Sequence, residues 1–384
     1  MHLDPYLLKV TMILFFLLLS SLILKKFNQP YVIAYLLTGV LLGPFGLKLV
    51  TEAKLIEHIG SFGVVLLLFF VGLEIAPETF FKNWRVSFLG TLLQILFSVG
   101  AVFVLGKFFS WSFERSLLLG FVISLSSTSV VIQYLKEKNE METGFGRDVL
   151  GVLIAQDLYV IPMLLIIGSF AEKGTVHTPN LLIQMLGAAF LIALLIFSIK
   201  YGRENFKGLA SLKKDKETQV LTSLTFALGL SLLSGLFGLS TALGAFIAGA
   251  VIRAFKQIQW VHEALDSFKI LFLAMFFVSI GLMVDIHFFI QKWHLILPIV
   301  LLAFMTNTTI NTFILKSMGR NWGDSFRSGA LLSQIGEFSF LLVAIGLNLE
   351  IINQFSYDMT VLTIFITMLL TPIWVLFTNK VFRL

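Results

Sequence analysis

Apolar residues run through this chain in long blocks separated by short polar interruptions. Thirteen blocks stand out: Tyr6–Leu24, Tyr31–Leu47, Ser61–Ile75, Val86–Phe108, Ser116–Leu135, Asp148–Phe170, Leu181–Ile199, Val220–Leu236, Gly238–Ile252, Phe268–Val284, Leu295–Ile314, Ser328–Leu347 and Met359–Phe377. Most approach the roughly 20 residues that a helix needs to cross a hydrocarbon core. The pattern predicts an all-α membrane protein with thirteen transmembrane helices.

The polar interruptions carry the basic residues unevenly. With the N-terminus outside, 20 of the 28 lysines and arginines fall on inner loops and 6 on outer ones, with Lys9 and Lys269 in or beside spans. Basic residues favour the cytoplasmic side, so the expected topology is N-terminus out and C-terminus cytoplasmic, in an inner or plasma membrane. The basic run Lys200–Lys216 is then a cytoplasmic loop. Composition agrees, with 57% hydrophobic and 13% charged residues. A soluble fold could not hide that much apolar surface. The net charge of +6 is therefore a topology signal, and no nucleic-acid partner is expected. With no cysteine, disulfides, thiolate metal sites and cysteine nucleophiles are excluded. The first block lacks a basic leader and a small-residue cleavage site, so it reads as a retained span.

The two halves echo each other. FFVGLE (Phe69–Glu74) recurs as FFVSIGLMVD (Phe276–Asp285), with Gly72 and Gly281 209 positions apart. At the same offset Gly120 and Ser124 fall on Gly329 and Ser333, in the fifth and twelfth spans. Seven spans separate the partners, so the halves have opposite orientation. Inverted repeats place a substrate site near the bilayer midplane, at discontinuous helices.

The candidate chemistry gathers at that depth. Asp157 lies within the sixth span, preceded by Gln156 and followed by Pro162. An intramembrane carboxylate is costly and marks an ion or proton path. Burial disfavours the ionised form of a carboxylate, which lets one site hold a proton or a monovalent cation in turn. The fifth span carries SLSSTS (Ser124–Ser129), short hydroxyls that compete with helical hydrogen bonds and satisfy groups freed by a break. The twelfth span carries Ser333, Gln334, Gly336 and Glu337 at matching depth. Two interrupted helices would leave partial charges at their ends, and Glu337 suits a positive one. Hard alkali cations need oxygen ligands; Asp157, Gln156, Ser127, Thr128 and freed carbonyls supply them. Tight helix packing is the plainer explanation for the hydroxyls. Glu74 and Asp285 read as interfacial anchors, and no histidine lies mid-span.

Read together, these segments resemble the monovalent cation:proton antiporter-2 family, in particular its Kef-type potassium/proton members. The likeness rests on LTGVLLGPFGL (Leu37–Leu47), FFVGLE, SLSSTSVVIQ, GRDVLGVLIAQDLYVIP (Gly146–Pro162), STALGAFIAGAVI (Ser240–Ile252), HEALDSFKILFLAMFFVSIGL (His262–Leu282) and SQIGEFSF (Ser333–Phe340), and it covers nearly the full length. The resemblance implies a sodium/proton antiporter-like fold with crossed broken helices. It also implies a homodimer in the lipid, and one transport unit over 1–384 with interleaved dimerisation and core subdomains, the core including 61–170 and 268–347. By the same resemblance Asp157 binds the proton and the cation. Gln156 marks the Kef type, Ser127 and Thr128 line the break, and Glu337 supports the crossover. Relatives often carry a lysine in the eleventh span where Asn307 stands, which points to an electroneutral cycle with Asn307 completing the cation shell. Kef-type chains often continue into a cytoplasmic regulatory domain. This one stops soon after its last span, so such a domain is absent, cut off, or replaced by a regulatory subunit.

The expected function is antiport of potassium, or sodium, against protons by alternating access, with no enzyme activity and no cofactor or metal beyond the transported cation. A gated cation channel on the same scaffold and an organic-anion symporter are the alternatives.

Overall fold

The computed structural model describes residues 5–27, 29, 31–52, 62–63, 65–70, 72–73, 85–170, 181–201, 216–239, 241–254 and 260–381. Expectations placed on Lys54, Ser61, Glu74, Lys82, Lys173, Lys256, Arg383 and most of the basic loop, 202–215, lie outside these residues. Every regular element among the described residues is helical.

The helices are α1 (Pro5–Lys25), α2 (Tyr31–Leu42), α3 (Thr91–Phe108, entered through a π-helical turn at Arg85–Gly90), α4 (Phe113–Ser124), α5 (Thr128–Glu137), α6 (Gly144–Gly168) and α7 (Leu181–Tyr201). They continue as α8 (Lys216–Leu236), α9 (Thr241–Ala254), α10 (Trp260–Met283), α11 (Ile286–Ser317), α12 (Trp322–Leu331), α13 (Phe338–Asn348) and α14 (Gln354–Val381). Among the described residues, five stretches are long and apolar enough to cross a membrane: Leu7–Lys25, Arg85–Phe108, Gly144–Gly168, Ile286–Ser317 and Gln354–Lys380. Shorter apolar helices accompany them, and the chain is a multi-pass membrane protein. The fifth and twelfth blocks are each split, one into α4 and α5 and the other into α12 and α13.

Local chemistry explains where several helices start. Asp285 accepts the His287 and Phe288 N–H groups at 2.8 and 3.2 Å, which starts α11 well before the apolar block at Leu295. Ser112, Ser127 and Asn321 cap α4, α5 and α12 in the same way. A short oxygen acceptor at that position satisfies one of the N–H groups that the first turn leaves open.

The chain divides into two compact units. One comprises Met1–Glu52, Thr79–Ile167 and Ile280–Leu384, the other Ala53–Glu78 and Gly168–Ser279. In the first, Val131, Leu135, Val149, Leu153, Leu331 and Leu332 form a buried apolar cluster between α5, α6 and α12. The repeat partners Gly72 and Gly281 do the same job in different units. A Cβ on Gly72 would lie 2.2 Å from the Phe246 carbonyl oxygen of α9, and one on Gly281 2.2 Å from the Leu36 carbonyl oxygen of α2. Each lets a backbone approach closer than any side chain allows, the membrane-helix use of small residues.

Two ion pairs tie the α5–α6 region of the first unit to α12 and the turn before it. Arg320 donates to Asp148 at 2.7 Å, and Arg327 donates to both Glu140 oxygens at 2.9 and 3.1 Å. The Arg327 guanidinium also lies 4.6 Å over the Phe145 ring. Burial opposes its charge, while the Glu140 hydrogen bond and charge favour it, and the balance raises its pKa. Asp148 is buried and Arg320 partly exposed, so losing the arginine strands a carboxylate in apolar packing. Arg320→Ala should therefore destabilise the protein by about 2 kcal/mol, more than Asp148→Asn, because an unpaired buried charge costs more than a lost bond. Thermal unfolding in detergent checks the order of the two variants.

Candidate ion site at a helix crossing

The breaks in the two split helices meet. After α4 ends at Ser124, Leu125 takes an extended backbone, and Ser127 is extended before α5 begins. The corresponding gap between α12 and α13 spans residues 332–337. The Gly336 N–H donates to the Leu125 carbonyl at 2.8 Å, and the Ser126 hydroxyl donates to the Leu332 carbonyl at 2.7 Å. Two helix C-termini and two helix N-termini therefore lie at one crossing, with half-unit partial charges of each sign.

Side chains meet three of those ends with hydrogen bonds. At the C-terminal ends, Asn307 of α11 donates to the Ile123 and Ser333 carbonyls at 2.8 and 3.1 Å, bridging both breaks. Ser339 donates to the Val122 carbonyl at 2.7 Å. The Ser124 carbonyl accepts from Gln94 at 2.7 Å and from Gln156 at 3.0 Å. At the N-terminal ends, Ser127 caps α5 by accepting the Val130 N–H at 3.3 Å. Glu337 stands at the N-cap position of α13, buried, and its side chain makes no capping hydrogen bond there. Of the freed carbonyls expected in a cation shell, Ile123, Ser124, Leu125, Leu332 and Ser333 each accept a hydrogen bond from a protein donor, because leaving such a group bare in a buried site is costly.

Side-chain oxygen stands beside the breaks as well. The Thr128 hydroxyl, on the first residue of α5, donates to the Asp157 carboxylate at 3.2 Å to one oxygen and 3.4 Å to the other. Both residues are half-buried, in contrast with their fully buried neighbours Ser127 and Gln156. The carboxylate sits beside the positive end of α5, where an anion is favoured. Pro162 follows one turn later inside α6 and supplies no N–H to the Leu158 carbonyl.

The structure thus brings Asp157 and Thr128 into contact and puts Gln156 on the break. The Gln156 oxygen accepts the Ser126 N–H at 3.0 Å, and its nitrogen reaches Ser124, Gln94 and Ser126. Ser127 acts as a helix cap. Asn307 sits at the carbonyl ends, with its own Oδ1 buried and accepting no hydrogen bond among the described residues. Sequence reading missed Gln94, Ser339 and Thr367, whose hydroxyl accepts the Ile335 N–H at 3.2 Å. Gln94 carried a signal, as the only carboxamide in the apolar run 86–108.

Comparison with known proteins follows the same lines. A family model described as sodium/hydrogen exchanger, transmembrane, matches residues 12–378. The iron transporter MagA of Paramagnetospirillum magneticum is 32% identical over 357 residues, covering 93% of this chain and 82% of the relative. The K(+) efflux antiporter 5 of Arabidopsis thaliana is 30% identical over 370 residues, covering 95% of this chain and 65% of the relative. The Na(+)/H(+) antiporter of Enterococcus hirae is 29% identical, covering 95% and 96%. The chain spans 56–65% of the potassium-efflux relatives it matches. The structure of the sodium proton antiporter MjNhaP1 from Methanocaldococcus jannaschii superposes with a TM-score of 0.69 at 15% identity, over 97% of this chain and 96% of the other. That likeness concerns the fold alone. The potassium-efflux relatives agree with the Kef-type resemblance read from the motifs.

Proposed function

The chain belongs to the sodium/hydrogen exchanger family, and on that premise we propose that it exchanges a monovalent cation for a proton at Asp157. The observation that carries this reading is the Thr128–Asp157 contact beside the N-terminal end of α5. It offers one titratable oxygen site, half-buried and beside the helix crossing. A proton and an alkali cation compete for that carboxylate. Competition suffices for antiport when the empty charged site cannot cross.

Potassium is the preferred cargo in this reading. It draws on Gln156, the residue the Kef resemblance turns on, and on relatives named as potassium-efflux proteins. The cycle is electroneutral, because Asn307 meets the carbonyl ends with a neutral carboxamide where the resemblance leads one to expect lysine. Transport proceeds by movement of a core carrying the crossing, in a homodimer with its C-terminus in the cytoplasm and regulation acting from that side. Gln156 and Asn307 shape the crossing while Asp157 and Thr128 hold the cation, with Glu337 supporting the α13 end. A relative named as an iron transporter makes iron(II) a cargo to test. The oxygen-only, hard character of Asp157 and Thr128 favours an alkali ion over it.

The test is dequenching of a pH dye in proteoliposomes on addition of potassium, sodium, lithium or iron(II), with and without a voltage clamp. Potassium should drive proton movement that the clamp leaves unchanged, since an electroneutral step does not feel the roughly 2.3 kcal/mol per charge per 100 mV. One pH unit, about 1.4 kcal/mol, should sustain about a tenfold cation gradient. Cation permeation without proton movement would establish a channel instead.

A further inference from the structure

Gln94 stands in α3, fully buried at 1% exposure. Such a carboxamide is retained in a membrane helix only when its polar atoms are engaged. Its Nε2 donates to the Ser124 carbonyl at 2.7 Å, and its Oε1 accepts from Gln156 Nε2 at 3.1 Å. Gln156, also fully buried, accepts the Ser126 N–H through Oε1 at 3.0 Å and donates to Ser124 at 3.0 Å. The orientation of both amides follows from the backbone. The Ser126 N–H can only donate, so Gln156 must present oxygen to it. The Ser124 carbonyl can only accept, so both glutamines must present NH₂.

We infer that Gln94 is a positioning residue for the ion site. It holds Gln156, and through the next residue of α6 it sets the height and rotation of Asp157 against Thr128. The inference rests on the reading of Asp157 as the ion-binding group. Gln156 and Asp157 are consecutive, so α6 straddles the break, one side chain gripping Ser124 and Ser126 and the other meeting Thr128. A pin on Gln156 from the α3 side is therefore a pin on Asp157. The second repeat uses the same device. Asn307, on the helix before the other broken pair, donates a carboxamide to the Ser333 carbonyl. Each carbonyl end is met by a neutral amide from the preceding helix, so the crossing is sealed without adding a charge beside Asp157.

Gln94→Leu keeps the volume and removes both hydrogen bonds. Gln94→Glu restores them only while protonated, because a carboxyl O–H can donate to the Ser124 carbonyl and a carboxylate cannot. Both variants are measured over a pH series in proteoliposomes, with cation KM and maximal rate separated. Binding of potassium alone is followed by thermal stabilisation in detergent. Gln94→Leu should raise KM and the dissociation constant roughly tenfold, the scale of losing a partner that orients a ligand, with a smaller effect on maximal rate. Gln94→Glu should match the wild type at low pH and approach the leucine variant as pH rises. If Gln94→Leu fails to fold, the Gln94→Glu profile decides. A wild-type KM and dissociation constant in Gln94→Leu, or a Gln94→Glu variant that is as impaired as the leucine variant even at low pH, overturns the inference. A wild type that neither binds potassium nor couples it to protons overturns the ion-site reading, and the inference with it.

Discussion

Asp157→Asn is expected to abolish cation–proton exchange and leave the protein folded. The amide is nearly isosteric and its oxygen can still accept from the Thr128 hydroxyl, now 3.2 Å from the carboxylate. Packing around α6 need not change, since the residue is half-buried and the amide has nearly the same shape. What the substitution removes is the single negative charge for which a proton and a cation compete. A neutral amide in a site of low effective dielectric offers the cation a dipole in place of a Coulomb partner, a loss of several kcal/mol. It has no proton to release in exchange. Flux in proteoliposomes should fall below detection for every alkali cation, while the unfolding temperature stays within a few degrees of the wild type. Proton-coupled flux retained by Asp157→Asn would remove Asp157 from the mechanism. Loss of flux together with loss of fold would mean the carboxylate is structural.

Much of the architecture was legible because lipid imposes a simple rule: backbone groups must be satisfied within the segment, so spans read as blocks of apolar residues. The run Ser124–Ser129 also located a break, since several hydroxyls in a row are poor interior helix residues, and α4 does stop at Ser124. Boundaries outside the apolar blocks were less readable. Helix α11 starts at Ile286 and α10 at Trp260, because caps and polar helix ends carry no hydropathy signal. The partners at the crossing were hidden for a different reason. Gln94 meets Ser124 across 30 positions and Ser339 meets Val122 across 217. No local pattern says which carbonyl a lone amide or hydroxyl will find. The sequence suggested Gln156 and freed carbonyls as cation ligands, since polarity alone does not distinguish a ligand from a group that satisfies the backbone. In the fold, Gln156 and these carbonyls are hydrogen-bonded to one another or to neighbouring donors.

The crossing itself depends on one missing side chain, and Gly336→Ala should be severely damaging. A Cβ at Gly336 would lie 2.5 Å from both the carbonyl carbon and the oxygen of Ser126, and 2.8 Å from the Ser127 nitrogen. Those atoms are backbone, fixed by the Gly336–Leu125 and Ser126–Leu332 hydrogen bonds and by the grip of Gln156 on Ser126. No rotamer relieves the overlap. The two breaks would have to separate by the better part of an ångström, lengthening the bonds that satisfy Leu125 and Leu332 and loosening the Ser127 cap that precedes Thr128. A backbone clash with loss of buried hydrogen bonds belongs among the severe substitutions, at about 4 kcal/mol or more. Gly100→Ala is the control. It lies in α3 with nothing within 4 Å of the added carbon, and alanine is the better helix former by about 1 kcal/mol. Membrane yield and unfolding temperature in detergent should drop sharply for Gly336→Ala and hold or rise for Gly100→Ala. Equal stability in the two variants would mean that the broken helices do not touch at Gly336.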